Sequence, residues 1–219
     1  MAIELPLFPL SVVLFPGEEL PLHIFEPRYR LMINECYEQE KPFGVVLIRP
    51  ESEYLREEPH SVGTMAEIEA LDRMEDGRMN LLARGLQRFR ILSQHREKPY
   101  LSGLVEIYED IAEPVQILRS CANQARELFN SYLEILLEVV GKQEIEFNLP
   151  TAPEELSHFI ANFLDVQNEL KQHFLELTST AQRLEGEIEA LHHEVPVMRQ
   201  MLSMSDRFRL NDLDRSLLN

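Results

Sequence analysis

Residues 3–32 read IELPLFPLSVVLFPGEELPLHIFEPRYRLM, and the reading of this stretch decides the fold. Its apolar residues fall into three short blocks, 5–10, 12–15 and 20–25. Prolines at 6, 9, 16, 21 and 27 forbid a helix through these blocks, since each lacks a backbone N–H and locks φ. Each also pushes the residue before it toward extended geometry. Apolar blocks of this length bounded by Pro and Gly are strands, with proline confined to their ends and edges. Pro16–Gly17 is a turn pair, in which Pro presets φ and Gly supplies a positive φ. A helix is expected from Pro27, a residue suited to the first turn, with Glu26 set against the positive end of its dipole.

Outward from that stretch, residues 43–48 form a compact apolar run that reads as a buried strand. Residues 50–61, PESEYLREEPHS, are a charged loop carrying one apolar pair, Tyr54–Leu55. The run 62–71 is ambiguous by pattern alone, but Glu75–Asp76–Gly77 settles it. Asp-Gly between two amphipathic runs marks a hairpin, whose second strand is 79–91. Gly85 in the middle of that strand implies a bulge or sharp bend, and 100–108 is the last strand. The expected fold is therefore α+β. A bent β-sheet or pseudo-barrel of about six strands, with one helix, spans residues 1–112.

From Glu113–Pro114 onward the period changes to that of helices, and residues 113–219 are expected to form a helical bundle. Residues 115–140 carry Ile117, Cys121, Ala125, Leu128, Tyr132, Ile135 and Val139 at spacings of three and four. Pro150–Thr151–Ala152–Pro153 opens a further helix, and residues 166–177 another. From Leu170 to Leu202 the apolar residues keep an unbroken heptad spacing, which fits one long helix or two. Ser179 with Gln182 looks like a capping box. This favours a break, then a last helix over about 180–204, bent near Pro196, with a frayed charged tail. The seam reads as internal core before it reads as a partner surface.

These residues closely resemble the Lon N-terminal domain, the substrate-binding module of ATP-dependent Lon proteases. Its pattern of an L-P-L-x-P-L block, an F-P-G turn, L-P-L and a short helix is met here. The matching residues are Leu5–Leu10, Phe15–Pro16–Gly17, Leu20–Leu22 and Phe25–Glu26–Pro27–Arg28–Tyr29. A V-G-T-x-A-x-I segment at 62–68 and an R-G-x-x-R-F-x-I segment at 84–91, with Gly85 and Arg88, continue it. The resemblance implies the pseudo-barrel and helical arrangement and a role in binding unfolded or specific polypeptides. Self-association or a protease partner through the last helix is the alternative.

Composition narrows the chemistry. With 21 basic and 38 acidic residues the net charge is −17, which disfavours any broad contact with nucleic-acid backbone. No run approaches the roughly 18 apolar residues of a membrane helix. The N-terminus has no basic leader, and Cys36 and Cys121 read as free thiols, so a cytoplasmic location is expected. A phosphate loop is not met, because Gly141–Lys142 is followed by Gln143 and Leu136 stands where its first glycine belongs. No cofactor, metal or catalytic residue is expected. His192 and His193 are adjacent and point about 100° apart on a helix, so they cannot share an ion. His23 reads as a packed imidazole, and Glu26 with Arg28 as a structural pair. Arg84, Arg88 and Arg90 share a face of an alternating strand, and pairing with Glu67 and Glu69 across the hairpin accounts for them. The expectation is a non-enzymatic binding module standing alone, with Tyr54 and Leu55 as its candidate contact or, alternatively, as a staple holding their loop down.

Overall fold

Pro6 and Pro9 lie in the first strand, β1 (Ile3–Leu10), and Pro21 in the second, β2 (Glu19–Ile24). The block 12–15 between them is not a strand. It is part of the connection that carries the Pro16–Gly17 turn, and Gly17 adopts φ +83° there. The computed structural model describes residues 2–49, 58–140 and 148–216.

Helix α1 (Pro27–Glu38) starts at Pro27 as the sequence requires, and it sinks Tyr29, Met32, Ile33 and Cys36 into the core. Glu26 is its N-cap but makes no side-chain cap bond; its carboxylate instead accepts from Arg28 Nε at 2.9 Å. Next come β3 (Phe43–Leu47), β4 (Val62–Arg73), β5 (Met79–His95) and β6 (Ser102–Ile107). The 75–77 turn joins β4 to β5, with Gly77 at φ +81°. The sheet order is β2-β5-β4-β3-β1-β6, and β5 pairs with β6 as well. That extra pairing closes a five-strand ring, β5-β4-β3-β1-β6, and leaves β2 beside the first half of β5. β1 and β3 are parallel, and the crossover between them is β2 with α1.

Closure depends on bends. The register between β4 and β5 shifts between Thr64 and Ala66, where Leu86 and Gln87 oppose Met65 alone, and again between Ile68 and Ala70. Each shift is a bulge that adds twist and curvature. Two apolar clusters result. One gathers Phe8, Leu14, Ile24, Tyr29, Met32, Phe43 and Leu81 under α1. The other gathers Leu5, Leu7, Val46, Met65, Phe89 and Val105.

The helices are α2 (Val115–Val140), α3 (Pro153–Phe163), α4 (Asn168–Glu176) and α5 (Thr180–Ser216). The chain divides into two compact units. One is Met1–Ala112 with His158–Thr180; the other is Glu113–Ser157 with Ala181–Asn219. A chain cut once at 112/113 would put residues 158–180 with the other helices, but they group with the sheet. The reason is polar as much as apolar. Gln172 Nε2 donates to Val62 O at 3.1 Å, and Tyr108 Oη donates to Glu176 O at 3.0 Å.

In the second unit, α2 buries Ala122, Ala125, Phe129, Tyr132, Leu133 and Ile135. Of the expected stripe Ala125, Tyr132 and Ile135 are buried, but Ile117 is exposed, and Ala122, Phe129 and Leu133 join the buried face. The helix break after residue 176 is present. The last helix, however, runs on to Ser216, so the backbone of 205–216 is helical rather than frayed, with Pro196 inside it. Pro196 removes one helical N–H donor. Ala181 N, one of the backbone donors in the first turn of α5 that the helix itself leaves open, is taken by Glu113 at 3.1 Å.

Candidate functional site

Alternation along β2 sends Leu20, Leu22 and Ile24 toward the core and Pro21 and His23 outward. Across the sheet Pro21 pairs with Leu82, and Leu82 with Ala70, so these three side chains lie in one row on the outward face. The next row is His23, Asn80 and Asp72. Together they line an open depression of about 550 Å³, with the edges of Leu22, Leu71 and Leu81 at its floor. Phe25, 61% exposed, stacks on His23 with ring centroids 6.2 Å apart. His23 is held in turn by a 2.8 Å bond between its Nδ1 and Asn80 Oδ1.

The rim of this face is acidic. Glu19, Glu67, Glu69 and Asp72 surround it, and its one arginine, Arg84, is bonded to Glu69 and, at 3.3 Å, to Glu19. Asp72 and Glu67 carry no ion pair among the described residues. Arginine beside two glutamates keeps its proton firmly, its pKa raised by the Glu69 bond first.

The residues singled out from sequence have other work. Tyr54 and Leu55 lie outside the described residues. Tyr29 is buried against Phe8 with centroids 4.2 Å apart, and Arg28 lies over its ring at 4.4 Å. Pro16, Gly17 and Gly85 form one joint: Gly17 N donates to Gly85 O and Gly85 N to Glu18 O, each at 2.8 Å. Arg84 does not share a face with Arg88 and Arg90, because the bulge at Leu86–Gln87 lies between them and changes the phase of the strand. Arg84 and Arg90 are exposed pairs with Glu69 and Glu106, whereas Arg88 is buried. Its Nη1 donates to the carbonyls of Leu175 and Leu177 at 2.7 and 2.6 Å, its Nη2 bonds Asp110, and it packs over Tyr108. A cation on the last carbonyls of a helix satisfies groups the helix itself cannot. Arg88 is thus the pin that holds the end of α4.

Among the described residues no group of three or more metal-ligating side chains is present. The Cys36 thiol is pushed up to about 11 by burial, and burial raises Cys121 too, so neither offers a thiolate at neutral pH. Among the described residues no helix is long and apolar enough to cross a membrane.

A family model for the ATP-dependent protease La (LON) substrate-binding domain matches residues 4–193. The chain belongs to that family. It is 29% identical to the Lon protease of Anaeromyxobacter dehalogenans over 211 residues, which are 93% of this chain and 24% of that protein. Lon protease 2 of Myxococcus xanthus matches to the same extent, again at 29% identity and over 24% of its length. This chain therefore spans about a quarter of the Lon proteases it resembles, their substrate-binding part and not their catalytic domains. Among solved structures, the Lon N-terminal domain protein from Xanthomonas campestris is 26% identical, with a TM-score of 0.62 over 84% of this chain and 95% of that one. The N-terminal domain of a Mycobacterium avium complex Lon protease has the same fold at 18% identity, with a TM-score of 0.64 over 87% of this chain and 98% of that one.

The outward face of β2, β5 and β4 is the feature that sequence reasoning missed. Its signal was in ELPLHIF: if Leu20, Leu22 and Ile24 face inward, then Pro21, His23 and Phe25 must face out. Taking residues 20–25 as one apolar block concealed that second set.

Proposed function

We propose that this chain is a non-catalytic polypeptide-binding module of the LON substrate-binding family, acting in the cytoplasm on unfolded or partly unfolded chains. Membership of that family over residues 4–193 carries the reading. The apolar outward face of β2, β5 and β4 supports it, because a rigid sheet surface with an exposed aromatic and small apolar neighbours suits transient capture of apolar segments. The test is capture of a chemically unfolded, reduced model protein by the purified chain, with the folded form of the same protein as control. Preferential capture of the unfolded form is expected, and ATP turnover no higher than that of a heat-inactivated sample. Equal neglect of both forms overturns the reading.

A second reading, an adaptor that engages a partner through α5, is favoured by Val197 and Met201. They are exposed one turn apart on that helix. It predicts that Val197→Ser with Met201→Ser lowers self-association or partner recovery and leaves capture of unfolded chains unchanged.

A further inference from the structure

We propose that the outward face of β2, β5 and β4 selects extended polypeptide segments whose apolar side chains are flanked by lysine or arginine, and that it reads them through side chains rather than by adding a strand. The proposal rests on the polypeptide-binding reading above and names its substrate class.

Three observations carry it. The first is shape. Pro21, Leu82 and Ala70 form a row across three strands, with His23, Asn80 and Asp72 beside it. Neighbouring strands lie about 4.8 Å apart, and rows on one face about 7 Å apart along each strand. The depression of about 550 Å³ over these rows holds a few side chains of a chain lying flat, and not a folded domain.

The second is charge. The rim supplies four carboxylates, Glu19, Glu67, Glu69 and Asp72, against the single guanidinium of Arg84. Arg84 is bonded to two of them and lies opposite a third, Glu67, so four carboxylates share one guanidinium and the rim keeps a net negative charge toward whatever docks. Complementary charge raises the encounter rate and rejects wrong partners by like-charge cost. An acid-flanked segment meets that cost, and so does a second copy of this chain, which carries a net charge of −17.

The third is the edge. Among the described residues β2 pairs only with β5, so its other side is an open sheet edge. Pro21 sits in the middle of β2 and has no N–H to give. A strand added there would meet a gap in its ladder, which is how natural edges resist pairing. Affinity must therefore come from apolar contact at Leu82, Ala70, Pro21 and Phe25, with charge setting the choice.

Fluorescence anisotropy with labelled peptides tests this. Two peptides share one apolar core; one is flanked by Lys and Arg, the other by Asp and Glu, and a third repeats the basic peptide with alternate backbone amides N-methylated. The basic peptide is expected to bind at least about tenfold more tightly than the acidic one, with the difference shrinking as salt is added. The N-methylated peptide is expected to match the basic one. Phe25→Ser with Ala70→Lys, both exposed positions, is expected to weaken basic-peptide binding about tenfold at an unchanged melting temperature. Glu67→Lys with Asp72→Lys is expected to abolish the charge preference.

Equal binding of acidic and basic peptides overturns the substrate class, and loss of binding on N-methylation overturns the side-chain mode. Capture of unfolded protein that both double variants leave untouched removes this face while sparing the polypeptide-binding reading. No capture by the parent chain fails that reading itself. Concentration-dependent dimerisation that the Phe25 variant abolishes makes the face a contact between copies and overturns the proposal.

Discussion

Two glycines show how different reasons demand the same residue. Gly17 adopts φ +83°, yet a Cβ there would touch nothing within 4 Å. Its constraint is backbone strain alone, severe for a branched side chain and mild for asparagine. Gly85 has an ordinary φ, but a Cβ there would overlap the carbonyl oxygen of Phe15. That oxygen cannot swing away, because the joint 15–18 is bonded to Gly85 from both sides. Gly17→Val is therefore expected to lower stability by roughly 1–3 kcal/mol and Gly17→Asn by clearly less. Gly85→Ala, the smallest possible change, is expected to cost roughly 1–3 kcal/mol through overpacking. Denaturation midpoints check all three. A Gly85→Ala midpoint equal to the parent's would mean that the joint opens freely.

At the scale of elements, the β1–β2 connection is pinned by a carboxyl that titrates near neutrality. Glu18 Oε2 accepts from Phe15 N at 3.1 Å, inside the turn. Desolvation by burial raises the Glu18 carboxyl from its ordinary 4.5 to about 7, against the lowering pull of the Phe15 N–H and Lys171. Lys171, on α4, donates to Asn162 O at 2.7 Å, and burial lowers its pKa. Between pH 4.5 and 7 the unfolded chain has released a proton that the folded chain retains. Stability must then fall as pH rises through that window, with the loss complete above it. The size is roughly 3–4 kcal/mol at most, by the free energy of one pKa unit. Glu187, wholly buried on α5, is raised in the same direction by desolvation, with only Arg183 opposing. Glu18→Gln is expected to flatten the decline in melting temperature between pH 5 and 7.5 relative to the parent, and an unaltered slope would place the titration elsewhere. The same scale explains Arg88. On an uninterrupted strand it would share a face with Arg84. The bulge at Leu86–Gln87 puts Arg88 and Arg90 on the other face, and there the carbonyls at the end of α4 receive Arg88.

For the molecule as a whole, 38 carboxylates against 21 cations set the electrostatics. The ion pairs on the sheet, Arg84 with Glu69 and Arg90 with Glu106, are exposed, and such pairs contribute little. Repulsion among the excess carboxylates then outweighs them, and it is screened by salt. The melting temperature at neutral pH is expected to rise with added sodium chloride. A fall would show that attractive pairs dominate after all.

Local signals in the chain announced most of the elements: prolines at 6, 9, 16 and 21, Pro27 at a helix start, Asp76–Gly77 at a hairpin tip and helical spacing beyond 113 each act within a few residues. The family motifs lie on those same residues. Phase and partnership were not local. Bulges at Met65 and Glu69 change which side of a strand faces out, and nothing near them in sequence announces where the ladder slips. Which residues complete the α2 stripe beside Ala125, Tyr132 and Ile135 depends on what lies opposite it, and an amphipathic helix of 26 residues offers more than one plausible apolar edge. The assignment of residues 158–180 to the sheet unit rests on bonds such as Gln172 to Val62, 110 residues away in sequence. The outward face of β2, β5 and β4 belongs to the same class. Its residues come from three separated strands, so only pairing places Pro21, Ala70 and Leu82 in one row.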